Sequence, residues 1–453
     1  MSIIGIDIGN SYTKAAMLEN GVINSLLFNN SDRLNNTLIT FKEKRLIGSE
    51  SYNILKNNLD NSIYGFHNLI HNLYSNIDED TQSFFNKNNS ADCYLPVKKI
   101  NDQELYLNYI YISYFNLLIK SLNKSLSDTF VLSTPSYFNM IDVKFIENSI
   151  KIITNNFLLV SEEYAIGLDY GFYKSYRNEF ISDKTVLFVN IGDIYTNTFV
   201  CTFNNDGMKI QNNESLMIGG NNYTTVLFNH VNELIYKKYK KNLINYPKKK
   251  LIVMRECEKI KKTLSTLKSA RISLECLFGD DDTFSENIDR QLFDKLSQDL
   301  TLEIINGINN CVKNVDNLEN IELLGGGMRV YNLREAIQNN FNVDLNYTLN
   351  PEDCIARGCV IYGAINSPII KNANYKIEKF IKDPIYFFIN NANKSTKILD
   401  DYCVIPSQKK IEFNLKKKNK LIRFYNKDNS ILSTYSIFYY CQLLKCYCQL
   451  LKC

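Results

Sequence analysis

Two stretches of the sequence combine an apolar strand pattern with a glycine and polar side chains, a combination that can hold phosphate. The first covers residues 3–14, where a β-branched run is interrupted by Asp7 and Gly9. Backbone N–H groups can approach phosphate closely at a glycine because it lacks a Cβ atom. A carboxylate beside phosphate needs a cation between them, so Asp7 suggests Mg²⁺ held through water. A buried strand followed by an ordinary hairpin turn explains the same pattern.

The second stretch repeats this pattern in the other half of the chain. Residues 185–193 form an apolar run that breaks at Gly192, and a further strand pattern follows at 198–203. Two similar hairpins suggest an internal duplication with a cleft between the halves. Gly219 and Gly220 open a predicted helix, whose N-terminus is suited to binding an anion.

The composition is typical of a globular protein with more than one domain. The chain has 453 residues, of which 45% are hydrophobic and 22% charged. The net charge of +4 is small and dispersed, which disfavours nucleic acid as a partner. No apolar run approaches the ~20 residues of a membrane span, and no basic leader precedes the first strand. We therefore expect a cytoplasmic protein whose scattered cysteines are reduced, with no membrane partner.

Seven collinear motifs resemble the 70-kDa heat-shock chaperone family, whose nucleotide-binding domain has a duplicated actin-like (ribonuclease H-like) α/β fold of two lobes. The motifs lie at residues 5–9, 132–139, 161–165, 167–171, 218–220, 324–329 and 349–352. Asn10, the segment 255–265 and the segment 357–359 are similar to the 110-kDa branch, whose members are nucleotide-exchange factors.

The resemblance implies a division of the chain into two lobes and a C-terminal part. Lobe I would cover residues 1–182, and lobe II with a closing helix residues 183–366. A linker at 367–382 would lead to a truncated β-sandwich-like domain at 383–440. Residues 441–453 repeat a cysteine-containing heptad. Because that repeat lacks His, Gly and turn residues, a disordered tail is favoured over a metal site.

The resemblance also implies a site for ATP or ADP with Mg²⁺ between the lobes. Asp7 would hold the metal through water and, with Glu162, would be a residual catalytic acid. Helical spacing places residues 258, 261, 262 and 265 on one face, although a solvated charged face has the same spacing. The implied nucleotide contacts are Gly9, Asn10, Ser11, Tyr12, Gly192, Gly219, Gly220, Glu258, Lys261, Lys262, Ser265, Gly325, Gly326, Gly327, Arg329 and Glu352.

Several positions depart from the family pattern where hydrolysis takes place. The catalytic lysine aligns with His67, and the aspartate of the second phosphate loop aligns with Asn190. The Gly-Gly-Thr of that loop is replaced by Asp193, Ile194 and Tyr195, which would crowd it. Losing charges that stabilise the transferring phosphate slows turnover, so we expect slow or absent hydrolysis and weakened binding.

His67 has two interpretations. It could act as a base, although its neutral form supplies no positive charge at pH 7. A satisfied surface histidine is the favoured interpretation.

The leading functional hypothesis is a co-chaperone that binds the nucleotide-binding domain of a standard cytosolic 70-kDa chaperone and speeds its ADP release, with unfolded polypeptides as further candidate ligands. The alternative is an ATP-dependent peptide-binding chaperone with a weak ATPase. The C-terminal region is short for a full substrate domain and lid, and short also for the helical bundle of the exchange-factor branch. A sugar kinase or actin-like filament protein is disfavoured by residues 132–139 and 256–259.

Overall fold

The computed structural model describes residues 2–29, 31–75, 96–100, 103–279, 283–341, 343–367, 375–381, 385–389, 396–399, 403–405, 420–425 and 431–437. The strands are β1 (Ile3–Ile8), β2 (Tyr12–Glu19), β3 (Val22–Ser25), β4 (Asn35–Asn36), β5 (Leu38–Thr40), β6 (Leu46–Ile47), β7 (Ser62–Tyr64), β8 (Pro96–Ile100), β9 (Gln103–Tyr106), β10 (Thr129–Thr134), β11 (Phe157–Ser161), β12 (Lys184–Ile191), β13 (Thr196–Asn204), β14 (Gly207–Leu216), β15 (Ser269–Glu275), β16 (Thr283–Asp289), β17 (Leu318–Leu324), β18 (Leu345–Asn346), β19 (Lys376–Ile381), β20 (Ile385–Ile389), β21 (Thr396–Leu399), β22 (Cys403–Ile405), β23 (Lys420–Tyr425) and β24 (Ile431–Ile437).

Helices alternate with groups of strands along the chain. They are α1 (Gly48–Ile54), α2 (Phe66–Ser75), α3 (Leu107–Ser121), α4 (Met140–Lys151), α5 (Glu162–Tyr176), α6 (Gly220–Tyr239), α7 (Pro247–Leu264), α8 (Arg290–Leu296), α9 (Gln298–Val312), α10 (Tyr331–Asn340) and α11 (Cys354–Ile365). No helix in the described ranges is both long and apolar enough to cross a bilayer.

The two large sheets share one strand topology. In the first the order is β11-β10-β1-β2-β3, and the second contains β18-β17-β12-β13-β14. The leading strand of each, β1 or β12, pairs antiparallel with the next strand and parallel with a later one. The predicted α/β architecture with duplicated halves is therefore confirmed at the level of sheet topology.

Burial on both faces explains why the leading strands are almost continuously apolar. All six residues of β1 are buried. Ile4 and Ile6 pack into one apolar cluster, whereas Ile3 packs into another that also contains Phe188 and Phe199 of the second half. Alternate residues of β1 thus contribute to the core of the first half and to a core shared by the two halves.

The closing helix α11 lies at this shared core, where glycines permit close backbone contact. A Cβ atom on Gly358 would lie 1.8 Å from the carbonyl oxygen of Ala165 in α5. A Cβ atom on Gly5 would lie 2.0 Å from the carbonyl oxygen of Ala356. Because both distances are shorter than any real contact, only glycine allows α11 to pack against α5 and β1 at this spacing.

Two helices begin where the local sequence allows it. α7 begins at Pro247, and proline is well tolerated in a first helical turn. α3 begins at Leu107, since the preceding residues Gln103–Tyr106 pair with β8.

The segment after α11 contributes a strand to the second sheet. β19, within the predicted linker 367–382, pairs parallel with β14, and β22 pairs antiparallel with β19. Gly207 permits this approach, since its Cβ atom would lie 2.0 Å from the carbonyl oxygen of Lys376. β20, β21, β23 and β24 form a separate antiparallel sheet. The cysteine repeat at 441–453 lies outside the described residues.

The close packing of α11 gives a stability prediction. We expect Gly358→Val to lower the free energy of unfolding by about 3 kcal/mol or more, because the backbones of α5 and α11 must separate to admit the side chain. Gly326→Ala is the control, since a Cβ atom there meets nothing within 4 Å. Urea denaturation followed by circular dichroism measures both variants. Equal stabilities for the two would contradict the packing described for α11.

Candidate functional site

The glycine hairpins after β1 (residues 9–12) and after β12 (residues 192–195) close through the same backbone hydrogen bond. They lie next to each other in the structure. The Gly9 N–H donates to the Tyr12 carbonyl at 3.0 Å, and the Gly192 N–H donates to the Tyr195 carbonyl at 2.9 Å. Side chains of the first hairpin reach Asp193 of the second: the Asn10 amide donates to its carboxylate at 2.8 Å and the Ser11 hydroxyl at 2.6 Å. The halves of the chain are therefore linked at the predicted phosphate site.

Asp7 is held by two neighbours on adjacent strands. Lys14 Nζ lies 2.8 Å from one carboxylate oxygen, and the Ser133 hydroxyl donates to the other at 3.0 Å. Asp7 is only 6% exposed. Burial alone would lower the pKa of Lys14, but the Asp7 carboxylate raises it above its ordinary value, so Lys14 keeps its positive charge.

Lys14 was not identified from the sequence, although the hairpin register contains the signal. Asp7 and Lys14 are directly opposed residues of the antiparallel β1–β2 pair. Directly opposed residues bring their side chains together on one face. Once the turn between Gly9 and Tyr12 is assigned, the ion pair follows from counting residues along the two strands.

His67 lies inside the site rather than on the surface. It is 5% exposed, with its ring edge-on to Phe138 at 5.3 Å between centroids. Burial lowers its pKa to about 4, so the ring is neutral at pH 7. The favoured interpretation of His67 as a surface histidine was wrong, because the face of α2 that carries His67 packs against Phe138. Nδ1 of His67 is buried and has no hydrogen-bond partner.

Glu162 is covered by an aromatic side chain from the second hairpin. It begins α5, and the Tyr195 hydroxyl donates to its carboxyl group. Burial raises the pKa of Glu162 to about 8, so the group holds a proton at neutral pH. Tyr137 packs edge-on to Tyr195 at 4.7 Å between ring centroids. The backbone of Tyr195 closes the second hairpin turn, while its side chain extends away from the turn to Glu162.

The residues present do not fit a hydrated Mg²⁺ ion. Asp7 is neutralised by Lys14, Glu162 is bonded to Tyr195, and Asn190, 6% exposed, carries no charge. Hydrated Mg²⁺ requires free carboxylates or phosphates. No group of three or more potential ligands that could hold a metal was found within the described ranges.

The N-terminus of α6 binds the second hairpin instead of presenting free donors. The Gly220 N–H donates to the Gly192 carbonyl at 2.9 Å, and the Asn221 N–H donates to the Asp193 carbonyl at 2.7 Å. A Cβ atom on Gly219 would lie 2.5 Å from that same Asp193 oxygen. The anion site expected at this helix N-terminus is therefore filled by the chain's own carbonyl groups.

The glycine turn at 325–327 packs against the second hairpin. Gly325 has a φ of +78°, a conformation that favours glycine, and its Cβ atom would lie 2.3 Å from the Ile191 carbonyl oxygen. The position of a Cβ atom on Gly220 is 3.9 Å from Gly327 Cα. Three of the predicted glycine segments thus meet at one place. Gly326 lies in the same turn with open space beside it.

The predicted nucleotide contacts outside the glycine turns divide into residues near the hairpins and residues at the edge of the site. Lys261 Nζ donates to the Gly220 carbonyl at 2.7 Å, and burial lowers the pKa of Lys261. Lys262 pairs with Glu258 at 2.7 Å, and both interact electrostatically with Tyr12 of the first hairpin. The Ser265 hydroxyl donates to the Lys262 carbonyl within its own helix end.

At the rim, Arg329 lies 3.6 Å from Glu352, and both side chains are about half exposed to solvent. A second rim contact, which sequence reasoning missed, joins α1 to α7. The Arg255 guanidinium lies 4.0 Å from the ring centroid of Tyr52 and donates to the Tyr52 carbonyl at 3.3 Å. This contact links the first half of the chain to α7 of the second.

Protonation of Glu162 predicts a pH dependence of stability. Its pKa is about 8 in the folded chain against an ordinary value of 4.5, so folding takes up a proton between these values. The unfolding free energy should therefore fall as pH rises towards 8. His67, whose pKa is lowered from 6.5 to about 4, acts in the opposite sense, but only below about pH 6.5. We expect Glu162→Gln to flatten the decline above pH 6.5.

Urea denaturation at half-unit steps between about pH 6.5 and 8 measures this decline. Glu19→Gln, at an exposed glutamate at the end of β2, is the matched control. If Glu162→Gln keeps the wild-type slope, the buried carboxyl does not hold its proton in this range.

Comparison with known proteins places the chain in a family. The chain is 25% identical to heat shock 70 kDa protein 16 of Arabidopsis thaliana, over 95% of this chain and 59% of that protein. It is 25% identical to heat shock 70 kDa protein 4 of Homo sapiens, over 96% and 53%. It is 26% identical to the 97 kDa heat shock protein of Strongylocentrotus purpuratus, over 85% and 45%. The chain spans about half the length of the curated relatives it matches. The family model described as Hsp70 protein matches residues 3–426, and the chain therefore belongs to the Hsp70 protein family.

Proposed function

We propose that this chain is a divergent co-chaperone of the 110-kDa type, which binds ATP or ADP weakly and accelerates ADP release from a standard cytosolic 70-kDa chaperone. The observation that supports this proposal is that the side chains at the hydrolytic centre are buried and bound to one another. The Tyr195 hydroxyl donates to Glu162, His67 is buried, and Lys14 is paired with Asp7. Burial raises the pKa of Glu162 to about 8 and lowers that of His67 to about 4, which favours the neutral form of both.

Those charges matter because phosphoryl transfer is catalysed mainly by positioning and electrostatic stabilisation. A protonated Glu162 cannot accept a proton from an attacking water. A neutral His67 offers no positive charge to the γ-phosphate. Loss of a single preorganised electrostatic contact typically costs about 10²–10³ in turnover rate. The chain would then act through binding rather than through an ATPase cycle.

Exchange activity requires only differential binding to a partner. A protein that binds the open form of a nucleotide-binding domain more tightly than the closed form shifts the partner towards the open form and so speeds ADP release. Similarity to heat shock 70 kDa protein 4 and to the 97 kDa heat shock protein, both much longer than this chain, favours this role. Unfolded polypeptides are proposed as additional ligands.

We further assign residues 1–182 and 183–366 to the two lobes and residues 383–440 to a small β-sandwich-like domain. The shared strand topology of the two large sheets supports the first division. The antiparallel sheet of β20, β21, β23 and β24 supports the second. The parallel pairing of β19 with β14 supports assigning β19, which lies within the predicted linker, to lobe II.

Release of labelled ADP from a standard 70-kDa chaperone tests the exchange role. We expect sub-stoichiometric amounts of this chain to accelerate release in a stopped-flow chase with unlabelled ATP. The alternative, an ATP-dependent peptide-binding chaperone with a weak ATPase, predicts no acceleration together with peptide binding that changes with ATP. The latter pair of results would replace the exchange proposal.

Single-turnover cleavage of ATP tests the state of the hydrolytic centre separately. We expect a cleavage rate at least about 10²-fold below that of a standard 70-kDa chaperone measured in parallel, because the required charges are neutralised. A comparable rate in the two proteins would show that the hydrogen bond of Tyr195 to Glu162 opens readily and does not block the reaction.

A further inference from the structure

Asp193 is placed where an anion would bind to the first hairpin. One oxygen of its carboxylate accepts both the Asn10 amide at 2.8 Å and the Ser11 hydroxyl at 2.6 Å. These donors come from a hairpin more than 180 positions earlier in the chain. A phosphate oxygen is an acceptor of the same kind, and amide and hydroxyl donors at a glycine turn are the groups that usually bind it.

The chain also supplies positive charge at the hairpins, from the ammonium groups of two lysines. Lys14 Nζ lies 2.8 Å from Asp7, and a Cβ atom on Gly9 would lie 3.7 Å from that nitrogen. Lys261, whose ammonium group interacts with Asp193 electrostatically, donates to the Gly220 carbonyl. The cleft therefore contains an internal anion and internal cations at the hairpins where a nucleotide would bring phosphate.

Two backbone donors at the N-terminus of α6 are likewise occupied. The N–H groups of Gly220 and Asn221 bind the carbonyls of Gly192 and Asp193, so the second hairpin is held against α6 from the backbone as well. By contrast, Asn10 Oδ1 is buried with no hydrogen-bond partner, and it lies 3.5 Å from the position of a Cβ atom on Gly65. The donors of the first hairpin are thus directed to Asp193, while this acceptor is left unpaired.

We propose that Asp193 is a built-in substitute for a nucleotide phosphate. It holds the two hairpins together without a ligand and limits the affinity of the cleft for ADP and ATP. A phosphate that binds Asn10 and Ser11 must displace the carboxylate, and the displaced negative charge stays nearby and repels it. Asp193 would limit the affinity of this chain's own cleft whether or not the chain accelerates ADP release from a partner.

Isothermal titration of the full chain with ADP and Mg²⁺ tests the affinity. We expect Asp193→Gly, which restores the glycine of the family pattern, to bind ADP at least about 10-fold more tightly than the wild type, or to bind where the wild type shows none. Asp193→Asn keeps the size and an acceptor oxygen but removes the charge, so an intermediate affinity is expected. Inorganic phosphate, titrated alone, should follow the same order.

Asp183→Gly and Asp183→Asn are the matched controls. Asp183 is an exposed carboxylate at the opposite end of β12 from Asp193, so its removal makes the same change in net charge away from the hairpins. These variants should bind ADP as the wild type does. Equal ADP affinity in the wild type, Asp193→Gly and Asp193→Asn would overturn the proposal, and so would an equal gain in the Asp183 variants.

Hydrogen exchange of the ligand-free protein gives a second readout that does not depend on measurable affinity. The amides of residues 9–12 should exchange faster in Asp193→Gly than in the wild type and should be protected again by ADP. If Asp193→Gly does not fold, Asp193→Asn supplies the comparison: it removes the charge but can still accept from Ser11, so a smaller increase in exchange is expected. Unchanged protection of residues 9–12 in both Asp193 variants would show that the carboxylate does not hold the hairpins together.

Discussion

One carboxylate shared between two hairpins is the contact on which the arrangement of the cleft depends. Asp193 extends from the turn after β12 and accepts from Asn10 and Ser11 in the turn after β1. Each turn closes through an equivalent backbone hydrogen bond, at Gly9 and at Gly192. The repeated hairpin places these residues opposite each other, so one carboxylate of the second turn can bind two side chains of the first.

The rest of the cleft follows the same physical rule, which is that buried charges are either paired or neutralised. Asp7 is paired with Lys14, Glu162 is protonated beneath Tyr195, and His67 is neutral. Each of these three arrangements leaves no free charge at a position where phosphoryl transfer needs one. In this Hsp70 family member, the described residues at these positions are paired or buried together.

The fold was largely predictable because its signals are local. Apolar β-branched runs mark β1 and β12, and glycines mark the turns that follow them. The Lys14–Asp7 pair could also have been predicted, since it follows from the register of one hairpin. The Asp193 contact could not, because it joins residues far apart in sequence whose distance depends on how two sheets pack. The burial of His67 and the raised pKa of Glu162 have the same origin in tertiary packing.

The contact between Arg255 and Tyr52 has a consequence for how the two halves of the chain can move relative to each other. A guanidinium over an aromatic ring contributes about 0.5–2 kcal/mol, and the accompanying hydrogen bond to the Tyr52 carbonyl adds to it. The two halves can separate at α1 and α7 only when both interactions are broken. The contact therefore opposes a widening of the chain at this edge and leaves motions that keep α1 against α7 unhindered.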